Sequence, residues 1–218
     1  EKISSILLLK NRSSLNINSV KNDEIAILNF LKNSGYYFST LISSIEELND
    51  NKVNLIYSIV LGDKAKVSKI SFLGDKKFKD RVLRNIIVSE EYKFWKIVSG
   101  GKFLNENLVN YDKRLLKNFY KNNGFYNVNI ESSYANFLGD DKFELIYNIS
   151  PGEKYLFNNL VLKLPLDYDA LNFKKLKLML KNLKGEMYAL DVIDNILNEI
   201  DKTVLSEQYQ SLKASVTE

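Results

Sequence analysis

Two carboxylates stand side by side at Asp140-Asp141, and such a pair can in principle share acid and base catalysis. They follow Leu138-Gly139 in a short stretch where Asp is favoured because it hydrogen-bonds its own backbone. We therefore interpret the pair as turn residues. The chain contains no His and no Cys, which removes thiol nucleophiles, Ser-His-Asp triads and metal sites built on imidazole or thiolate. The sequence predicts no catalytic residue, no cofactor and no bound metal, so an enzyme is not expected.

A row of lysines is the second group with chemical potential, on one face of a helix expected near residues 169–184. The row consists of Lys174, Lys177, Lys181 and Lys184. The opposite face is apolar and consists of Leu176, Met179, Leu180 and Leu183. This pattern is typical of a solvated basic face. The alternative is attraction to anionic lipid headgroups or to an acidic partner.

The overall charge argues against nucleic acid as a partner. The formal net charge is only +4, and the chain has few arginines: Arg12, Arg81, Arg84 and Arg114. A nucleic-acid binder usually carries a denser basic patch, with arginines that fork onto phosphates. Modules of the KH type would also need a Gly-x-x-Gly clamp, which Gly100-Gly101 does not provide. An RNA-binding α/β array is therefore the less favoured alternative.

Two parts of the chain have similar sequences. Asn-Phe-Leu-Lys-Asn-Ser-Gly at 29–35 recurs as Asn-Phe-Tyr-Lys-Asn-Asn-Gly at 118–124. Leu55-Ile56-Tyr57 likewise recurs as Leu145-Ile146-Tyr147. Matches that keep their order over several elements indicate an internal duplication.

The second copy is complete and predicts the order β-α-α-β-β. The pattern gives a strand at 67–73, helices at 78–88 and 106–122, a strand from Tyr126 and a last strand at 143–149. Asn105 is a good N-cap for the second helix. Gly124 follows the end of that helix, where a left-handed conformation favours glycine. The inward face of the second helix is expected to consist of Leu108, Tyr111, Leu115, Leu116 and Phe119.

The other two copies are partial. The first begins with a helix over residues 2–10 and lacks an opening strand. The third starts with a strand at 157–164 and helices near 169–184 and 189–206, and then ends within its hairpin. We therefore expect three modules, at 1–64, 65–153 and 154–218, of which only the middle one is whole. The abrupt start of the chain suggests a piece excised from a longer protein.

These motifs resemble those of the POTRA family. The signature runs Asp112-x-x-x-Leu116-x-x-Phe119-Tyr120-x-x-x-Gly124-Phe125 and then, after a hairpin, Ile149-Ser150-Pro151-Gly152-Glu153-Lys154-Tyr155. The module start Ile70-x-Phe72-x-Gly74-x-x-x-Phe78 and the pair Phe94-Trp95 look most like the third of five modules in the outer-membrane assembly proteins of the family. The chain would then span part of the second module, all of the third and part of the fourth. The resemblance implies structural roles for Gly35, Gly74, Gly124, Gly152, Asp112 and Phe119.

The chain departs from the family pattern at two places. Ile59-Val60-Leu61-Gly62 lacks the acidic residue that often precedes this glycine. Gln208-Tyr209 stands where Gly-Tyr is expected. The second departure implies a differently built helix end in the third copy.

The resemblance implies an α+β fold of tandem modules, each a three-stranded mixed sheet packed against two helices. It also implies a periplasmic, chaperone-like scaffold, attached to the outer membrane in the full-length protein by a C-terminal barrel. Its implied partners are accessory lipoproteins and unfolded outer-membrane protein clients. The alternative within the family is a relative that serves secretion or autotransporter assembly.

The resemblance places the second strand of each module at the border of its sheet. Residues 126–135 contain no proline and no lysine, the usual guards of an exposed edge. An extended client could add a strand there through main-chain hydrogen bonds, and the alternative is a short edge blocked by a neighbouring module. The expected partner-binding edge consists of Tyr126, Asn127, Val128, Asn129, Ile130, Glu131, Ser132 and Ser133. Phe94-Trp95 is expected to pack beneath the loop between the helices, and the alternative is an exposed partner anchor.

Overall fold

The computed structural model describes residues 2–93, 95, 100–166 and 168–206, apart from the side chains of residues 131–134. The contacts form two compact units. One contains most of residues 1–73, 78–114 and 132–148, and the other contains residues 74–77, 115–131 and the described residues from 149 onward. This division passes through the second copy of the repeat. The module bounds at 1–64, 65–153 and 154–218 therefore stay a prediction.

The first copy consists of two helices and a two-stranded sheet. Its elements are α1 (Lys2–Ile6), α2 (Ile17–Asn33), β1 (Thr40–Leu48) and β2 (Lys52–Val60). The two strands are antiparallel, with Thr40 opposite Val60. Asn16 caps α2, because its side-chain oxygen accepts the N–H of Asn18 at 2.8 Å.

The second copy has the predicted β-α-α-β-β order. Its elements are β3 (Lys66–Gly74), α3 (Asp80–Ile86), a short 3₁₀ turn (Gly100–Lys102), α4 (Glu106–Lys121), β4 (Asn129–Gly139) and β5 (Lys142–Ser150). The sheet order is β3-β5-β4. Strands β3 and β5 run in the same direction, because Lys66 bonds to Asp141 at their start and Phe72 stacks on Tyr147 further along. The tight turn between β4 and β5 makes that pair antiparallel, so the sheet is mixed, as predicted.

Asp140 and Asp141 form the turn between β4 and β5. Both have positive φ, 47° and 56°, a left-handed conformation that Asp tolerates in turns. Asp141 also accepts the ammonium of Lys66 at 2.9 Å. The interpretation of the two carboxylates as turn residues is confirmed.

Strand β3 changes its alternation partway along. Val67 is buried, and the next buried residues are Ile70 and Phe72. One extra residue between Val67 and Ile70 is the pattern of a β-bulge, which shifts the inward-facing positions by one. The backbone of Ile70 consequently faces the outer side of the sheet, where it meets the side chains described below.

Helix α4 buries a different stripe from the predicted one. The buried residues are Val109, Asp112, Leu116 and Tyr120. Of the predicted inward face, Leu108, Leu115 and Phe119 are only half-buried. Tyr111 is 42% exposed, and the Arg114 guanidinium lies over its ring. The prediction counted apolar residues alone and therefore missed the carboxylate at the centre of the buried face.

The third copy contains α5 (Lys174–Asn182), α6 (Leu190–Ser206) and its own core. The buried core residues are Phe157, Phe173, Leu176, Leu180, Tyr188, Ile193, Ile196 and Val204. The predicted strand at 157–164 is not a regular strand in the described chain. Leu156 forms an isolated bridge with Met187, Phe157 bonds through its backbone to Gly185 and Glu186, and residues 158–164 have no backbone partner among the described residues. Gln208-Tyr209 lies outside the described residues.

Three predicted boundaries shift because other hydrogen bonds compete with those of the regular element. Helix α1 ends at Ile6, and the N–H of Leu8 goes instead to a side chain on α2. Helix α5 starts at Lys174, after Asp169 has accepted the N–H of Leu171 in a turn. The start of β4 is delayed in the same way, as described with the site.

The repeated glycine phrase ends α2 and α4 in one geometry. Gly35 and Gly124 have φ of +92° and +91°. The next N–H bonds back across the last turn, from Tyr36 to the carbonyl of Leu31 in α2. In α4 the matching bond runs from Phe125 to Tyr120. This is the Schellman helix end, and it confirms the predicted conformation at Gly124.

The same glycines also begin the following copy. The carbonyl of Gly35 accepts the N–H of Ala65 at 2.9 Å, and that of Gly124 accepts the N–H of Tyr155 at 2.8 Å. The two donors are themselves acceptors of a further bond. The carbonyl of Ala65 accepts the N–H of Leu104 at 2.8 Å, and the carbonyl of Tyr155 accepts the N–H of Tyr188 at 3.0 Å. The helix end and the next copy are therefore joined by backbone hydrogen bonds.

A buried carboxylate organises the second copy. Asp112 is 0% exposed and accepts the N–H of Val88 at 2.7 Å, the N–H of Ser89 at 3.3 Å and the hydroxyl of Tyr147 at 2.8 Å. It thereby joins the segment after α3 to the last strand. Burial and the neighbouring Asp112 charge raise the pKa of Tyr147. These contacts support the structural role predicted for Asp112.

Asp23 repeats this arrangement in the first copy. It is fully buried and accepts the N–H of Leu8 at 2.6 Å, the N–H of Leu9 at 3.1 Å and the hydroxyl of Tyr57 at 3.3 Å. Helix α6 has a buried Ile196 three residues after a buried isoleucine, the spacing of Val109 and Asp112. At the position that corresponds to Asp112, the third copy therefore has a buried apolar side chain, Ile196.

Tyr57 makes the network of the first copy sensitive to alkali. Burial, the charge of Asp23 and the hydrogen bond to it raise the pKa of Tyr57 to about 12 from 10.0. Because the folded pKa is the higher one, the contribution to stability is complete below pH 10 and is lost as the pH rises through 12. We expect the free energy of unfolding, measured by urea titration at increasing alkaline pH, to fall less steeply across that window in Tyr57→Phe. Equal slopes in the variant and the parent protein would contradict this assignment.

Candidate protein-binding edge

Strand β4 forms one border of the three-stranded sheet. Its 11 residues include neither lysine nor proline, the residues that commonly guard an edge. Within the described sheet, only β5 pairs with β4. The backbone groups on its outer side are therefore suited to accept an added strand.

In the structure, strand β4 lies further toward the C-terminus than the predicted edge. Of the predicted residues, β4 contains Asn129, Ile130, Glu131, Ser132 and Ser133, the side chains of the last three lying outside the described part. The strand begins at Asn129 rather than at Tyr126, because Val128 donates its N–H to the carbonyl of Phe125 in a turn.

The three residues that precede β4 contact other parts of the same chain or are buried. The ring of Tyr126 lies 5.9 Å from that of Tyr155 and 5.2 Å from that of Tyr188. Asn127 donates its side-chain amide to the hydroxyl of Tyr155 at 2.8 Å. Val128 is only 4% exposed. They belong to the join with the third copy, so the open edge is residues 129–139.

The other border of the sheet, strand β3, is covered by its own chain. Glu91 accepts the N–H of Ile70 at 3.0 Å, and Arg84 donates both to Glu91 and to the carbonyl of Ile70. Tyr92 adds a backbone bond to the carbonyl of Val67. Burial raises the pKa of Glu91, but the bonds from Arg84 and Ile70 outweigh it and hold that pKa below its usual value. This Arg84–Glu91 clamp occupies the groups that an added strand would need.

An aromatic cluster at the end of β4 was not predicted. Phe137 is 54% exposed, and its ring lies 5.5 Å from that of Phe38 and 5.2 Å from that of the buried Phe143. Tyr37, 44% exposed, lies 5.4 Å from Phe143. Exposed aromatic side chains are frequent at protein interfaces. The available signals were Tyr37-Phe38 and Phe137-Leu138, but nothing in the sequence shows that the two pairs meet.

The predicted lysine row lies on the exposed side of α5. Lys174, Lys177, Lys181 and Lys184 are exposed, the last just beyond the helix end. On the opposite side Leu176 and Leu180 are buried and Met179 and Leu183 are half-buried. The predicted two-faced arrangement is confirmed.

Trp95 is not packed beneath its loop. It is 64% exposed, and the Lys93 ammonium lies 5.9 Å from the ring centre. Nearby, the ring of Tyr92 lies 6.3 Å from that of Phe103, with the buried Lys102 over both rings. The packing prediction for Trp95 is therefore wrong, and Phe94 lies outside the described residues.

Metal ligation and membrane crossing find no support in the described part of the chain. No three of its acidic side chains are grouped closely enough to hold a metal ion. Among the helices in the same residues, none is sufficiently long and apolar for a membrane span. The fully buried carboxylates, Asp23 and Asp112, have backbone and tyrosine donors as their partners.

Comparison with known proteins identifies relatives over most of the chain. Residues 65–152 match the family model described as POTRA, surface antigen variable number repeat. The chain is 29% identical over 170 residues to the outer membrane protein assembly factor BamA of Buchnera aphidicola subsp. Acyrthosiphon pisum, covering 77% of this chain and 27% of that protein. It is 24% identical over 172 residues to BamA of Neisseria meningitidis serogroup B, covering 79% and 22% respectively. The chain thus spans about a quarter of the length of these relatives.

A solved structure shows the same fold. The crystal structure of Haemophilus influenzae BamA POTRA3-5 matches 93% of this chain and 79% of its own, with a TM-score of 0.56. The sequence identity is 13%, so this likeness concerns the fold alone. The complete copy described above is the segment that the family model covers.

Proposed function

Because the chain contains a POTRA domain at residues 65–152 and has the fold of the POTRA domains of BamA, we propose that it is the periplasmic part of an outer-membrane protein assembly factor. In this role it is a non-catalytic scaffold that binds unfolded outer-membrane protein clients and accessory lipoproteins. The names of the matched relatives support the assembly role. Attachment to the outer membrane would come from other parts of the full-length protein.

The observation that carries the proposal is the difference between the two borders of the sheet. The β3 border is closed by the Arg84–Glu91 clamp, whereas β4 pairs only with β5 among the described strands. An extended client can therefore add to the sheet beside β4. Main-chain hydrogen bonds would supply the affinity and demand little of the client sequence, which suits a receptor for many different barrel proteins.

The aromatic cluster supports the same location. Phe137 belongs to β4 and keeps more than half of its surface exposed at one end of the edge. Barrel strands alternate apolar and polar residues and carry aromatic residues near their ends. A client strand beside β4 could bury such a side chain against Phe137 and Phe38.

We expect proline to weaken client binding when it removes an outward-facing N–H of β4. Asn129→Pro changes the exposed start of the strand, where proline is tolerated, and tests whether binding extends to that end. Ala135→Pro and Asn136→Pro form a matched pair, because neighbouring N–H groups of a strand point to opposite sides. One of the two should remove a bond to β5 and destabilise the fold by ~3 kcal/mol. The other should leave the fold intact and weaken peptide binding about tenfold, the equivalent of one lost hydrogen bond.

The binding probe is a fluorescent peptide with the alternating sequence of a barrel strand, followed by anisotropy, and circular dichroism reports the fold. Ala135→Ser and Asn136→Ala are controls that keep both N–H groups. Unchanged affinity in every proline variant that remains folded would show that clients do not bind at β4.

A further inference from the structure

The Arg84–Glu91 clamp lies at the middle of strand β3. Ile70 is the fifth of the nine residues of this strand. Its N–H donates to Glu91 at 3.0 Å, and its carbonyl accepts a bond from Arg84, which also pairs with Glu91. A strand added along the whole of β3 would need these two backbone groups, because it would bond to alternate residues of its neighbour. The clamp therefore interrupts pairing at the centre of this border.

Main-chain bonds cover the first part of the same border. Leu104 donates its N–H to the carbonyl of Ala65, just before the strand, and Tyr92 donates to the carbonyl of Val67. The β-bulge between Val67 and Ile70 then breaks the regular spacing of the strand. At Ile70 the cover consists of two charged side chains instead. The clamp is thus the part of the cover that side-chain substitutions can remove.

Both side chains of the clamp are fixed at their base and reach the surface. Arg84 follows the buried Leu83 on α3. Glu91 lies between Tyr92 and Glu90, whose N–H donates to the carbonyl of Gly101 at 2.9 Å. The side chains of Arg84 and Glu91 are 37% and 28% exposed, so they stand between β3 and an approaching strand. Charged side chains and bulges are devices by which proteins protect a sheet border from pairing.

The two borders of this sheet could pair with each other in different molecules. An open β4 on one molecule could add to an open β3 on the next through main-chain hydrogen bonds. Such a contact joins two different surfaces and does not close, so it would build assemblies of unlimited length. Pairing of β4 with β4 differs, because two-fold symmetry closes it at a dimer. A sheet that accepts clients at β4 therefore needs a closed β3.

We propose that the Arg84–Glu91 clamp prevents this protein from becoming its own client. The inference rests on the proposed function, because it requires that β4 accepts added strands. It assigns to Arg84 and Glu91 the choice of border, so that client strands add at β4 and are excluded from β3. The partner that the clamp excludes is the β4 strand of a second copy of this chain.

Sedimentation velocity over a range of protein concentrations tests this proposal on the whole chain. The double variant Arg84→Ala, Glu91→Ala should form larger species than the parent chain at equal concentration, and their size should grow with concentration. We expect the apparent association constant to rise about tenfold or more, since two main-chain groups become available for hydrogen bonds. Circular dichroism reports whether each variant remains folded.

Two controls separate the border from a general loss of stability. Lys69→Ala, Glu144→Ala removes another ion pair of the same sheet, in which Glu144 bonds to the side chains of Lys69 and Ser71. This variant should associate like the parent chain. Glu91→Gln keeps a side-chain oxygen for the N–H of Ile70, so it should associate less than Glu91→Ala.

A mixing experiment identifies which borders meet. One chain combines the double clamp substitution with the β4 proline that leaves the fold intact, so its sheet offers β3 alone. The other is the parent chain, whose sheet offers β4 alone. Each chain by itself should not extend, whereas the mixture should form pairs, detected by energy transfer between fluorophores at the two N-termini.

The outcomes distinguish this proposal from the proposed function. Absence of added association in the folded clamp variants, or equal association of the Lys69→Ala, Glu144→Ala control, would overturn this proposal alone. Association of clamp variants that persists when both chains carry the β4 proline would also overturn it, because β4 would then not be the partner. Unchanged client-peptide binding in every folded β4 proline variant would overturn the proposed function and this proposal with it.

Discussion

Replacing Asp112 by alanine is expected to lower the free energy of unfolding by about 3–5 kcal/mol. The carboxylate is fully buried and accepts hydrogen bonds from Val88, Ser89 and the hydroxyl of Tyr147. Alanine would leave these donors without an acceptor in a site closed to water, and each buried unsatisfied donor costs about 1–3 kcal/mol. The smaller side chain would also leave a void.

Urea unfolding followed by near-ultraviolet circular dichroism measures this loss. Tyr147→Phe removes one of the three donors and keeps the carboxylate, so it should cost only about 1 kcal/mol. Asp23→Ala should resemble Asp112→Ala, since Asp23 has the same kinds of partner. Asp201→Ala is the exposed control on α6 and should cost about 0.5 kcal/mol or less. A loss at Asp112 no larger than that at Tyr147 would show that the carboxylate does not organise the copy.

The second large effect is expected at Gly124, where alanine should cost about 2–4 kcal/mol. Its φ of +91° is strained for any residue with a Cβ. In addition, a Cβ at this position would lie 2.9 Å from Cγ of Met187 and 3.1 Å from its sulfur. The substitution therefore combines backbone strain with a steric clash at the join to the third copy.

Two further variants separate these causes. Gly139 has nearly the same φ, +93°, and a Cβ there would meet nothing within 4 Å. Gly139→Ala should thus report the backbone strain alone, about 1–2 kcal/mol. In the double variant Gly124→Ala, Met187→Ala the clash is removed, so the two changes should cost less together than the sum of the single losses. Equal losses for Gly124→Ala and Gly139→Ala would show that Met187 does not confine the glycine.

The order of helices and strands could be predicted because its signals are local. Asn105 as N-cap and Gly124 after the helix end were confirmed, since their partners lie within a turn of the residue itself. The buried stripe of α4 could not be predicted from apolar spacing. Asp112 becomes a core residue only when donors from two distant segments reach it.

For the candidate site, too, some features could be predicted from the sequence and others could not. Its strand and the absence of lysine and proline could be read from the sequence. Which border of the sheet is open depends on Arg84 and Glu91 meeting the bulged backbone at Ile70, and no sequence pattern records that meeting. The contact of Phe38 with Phe137 likewise joins residues from two different copies.

The Asp112 network also has a consequence for the order in which the chain matures. Its donors lie 24 residues before Asp112 and 35 residues after it, so Tyr147 is the last of its partners to be synthesised. During vectorial synthesis the copy would pass through a state in which Asp112 holds the segment after α3 but waits for β5. Once Tyr147 has been synthesised, its hydroxyl can bond to Asp112 and complete the network. Asp23 and Tyr57 are separated by a similar distance, 34 residues. The networks of the first two copies should therefore be completed one after the other, each when its tyrosine has been synthesised.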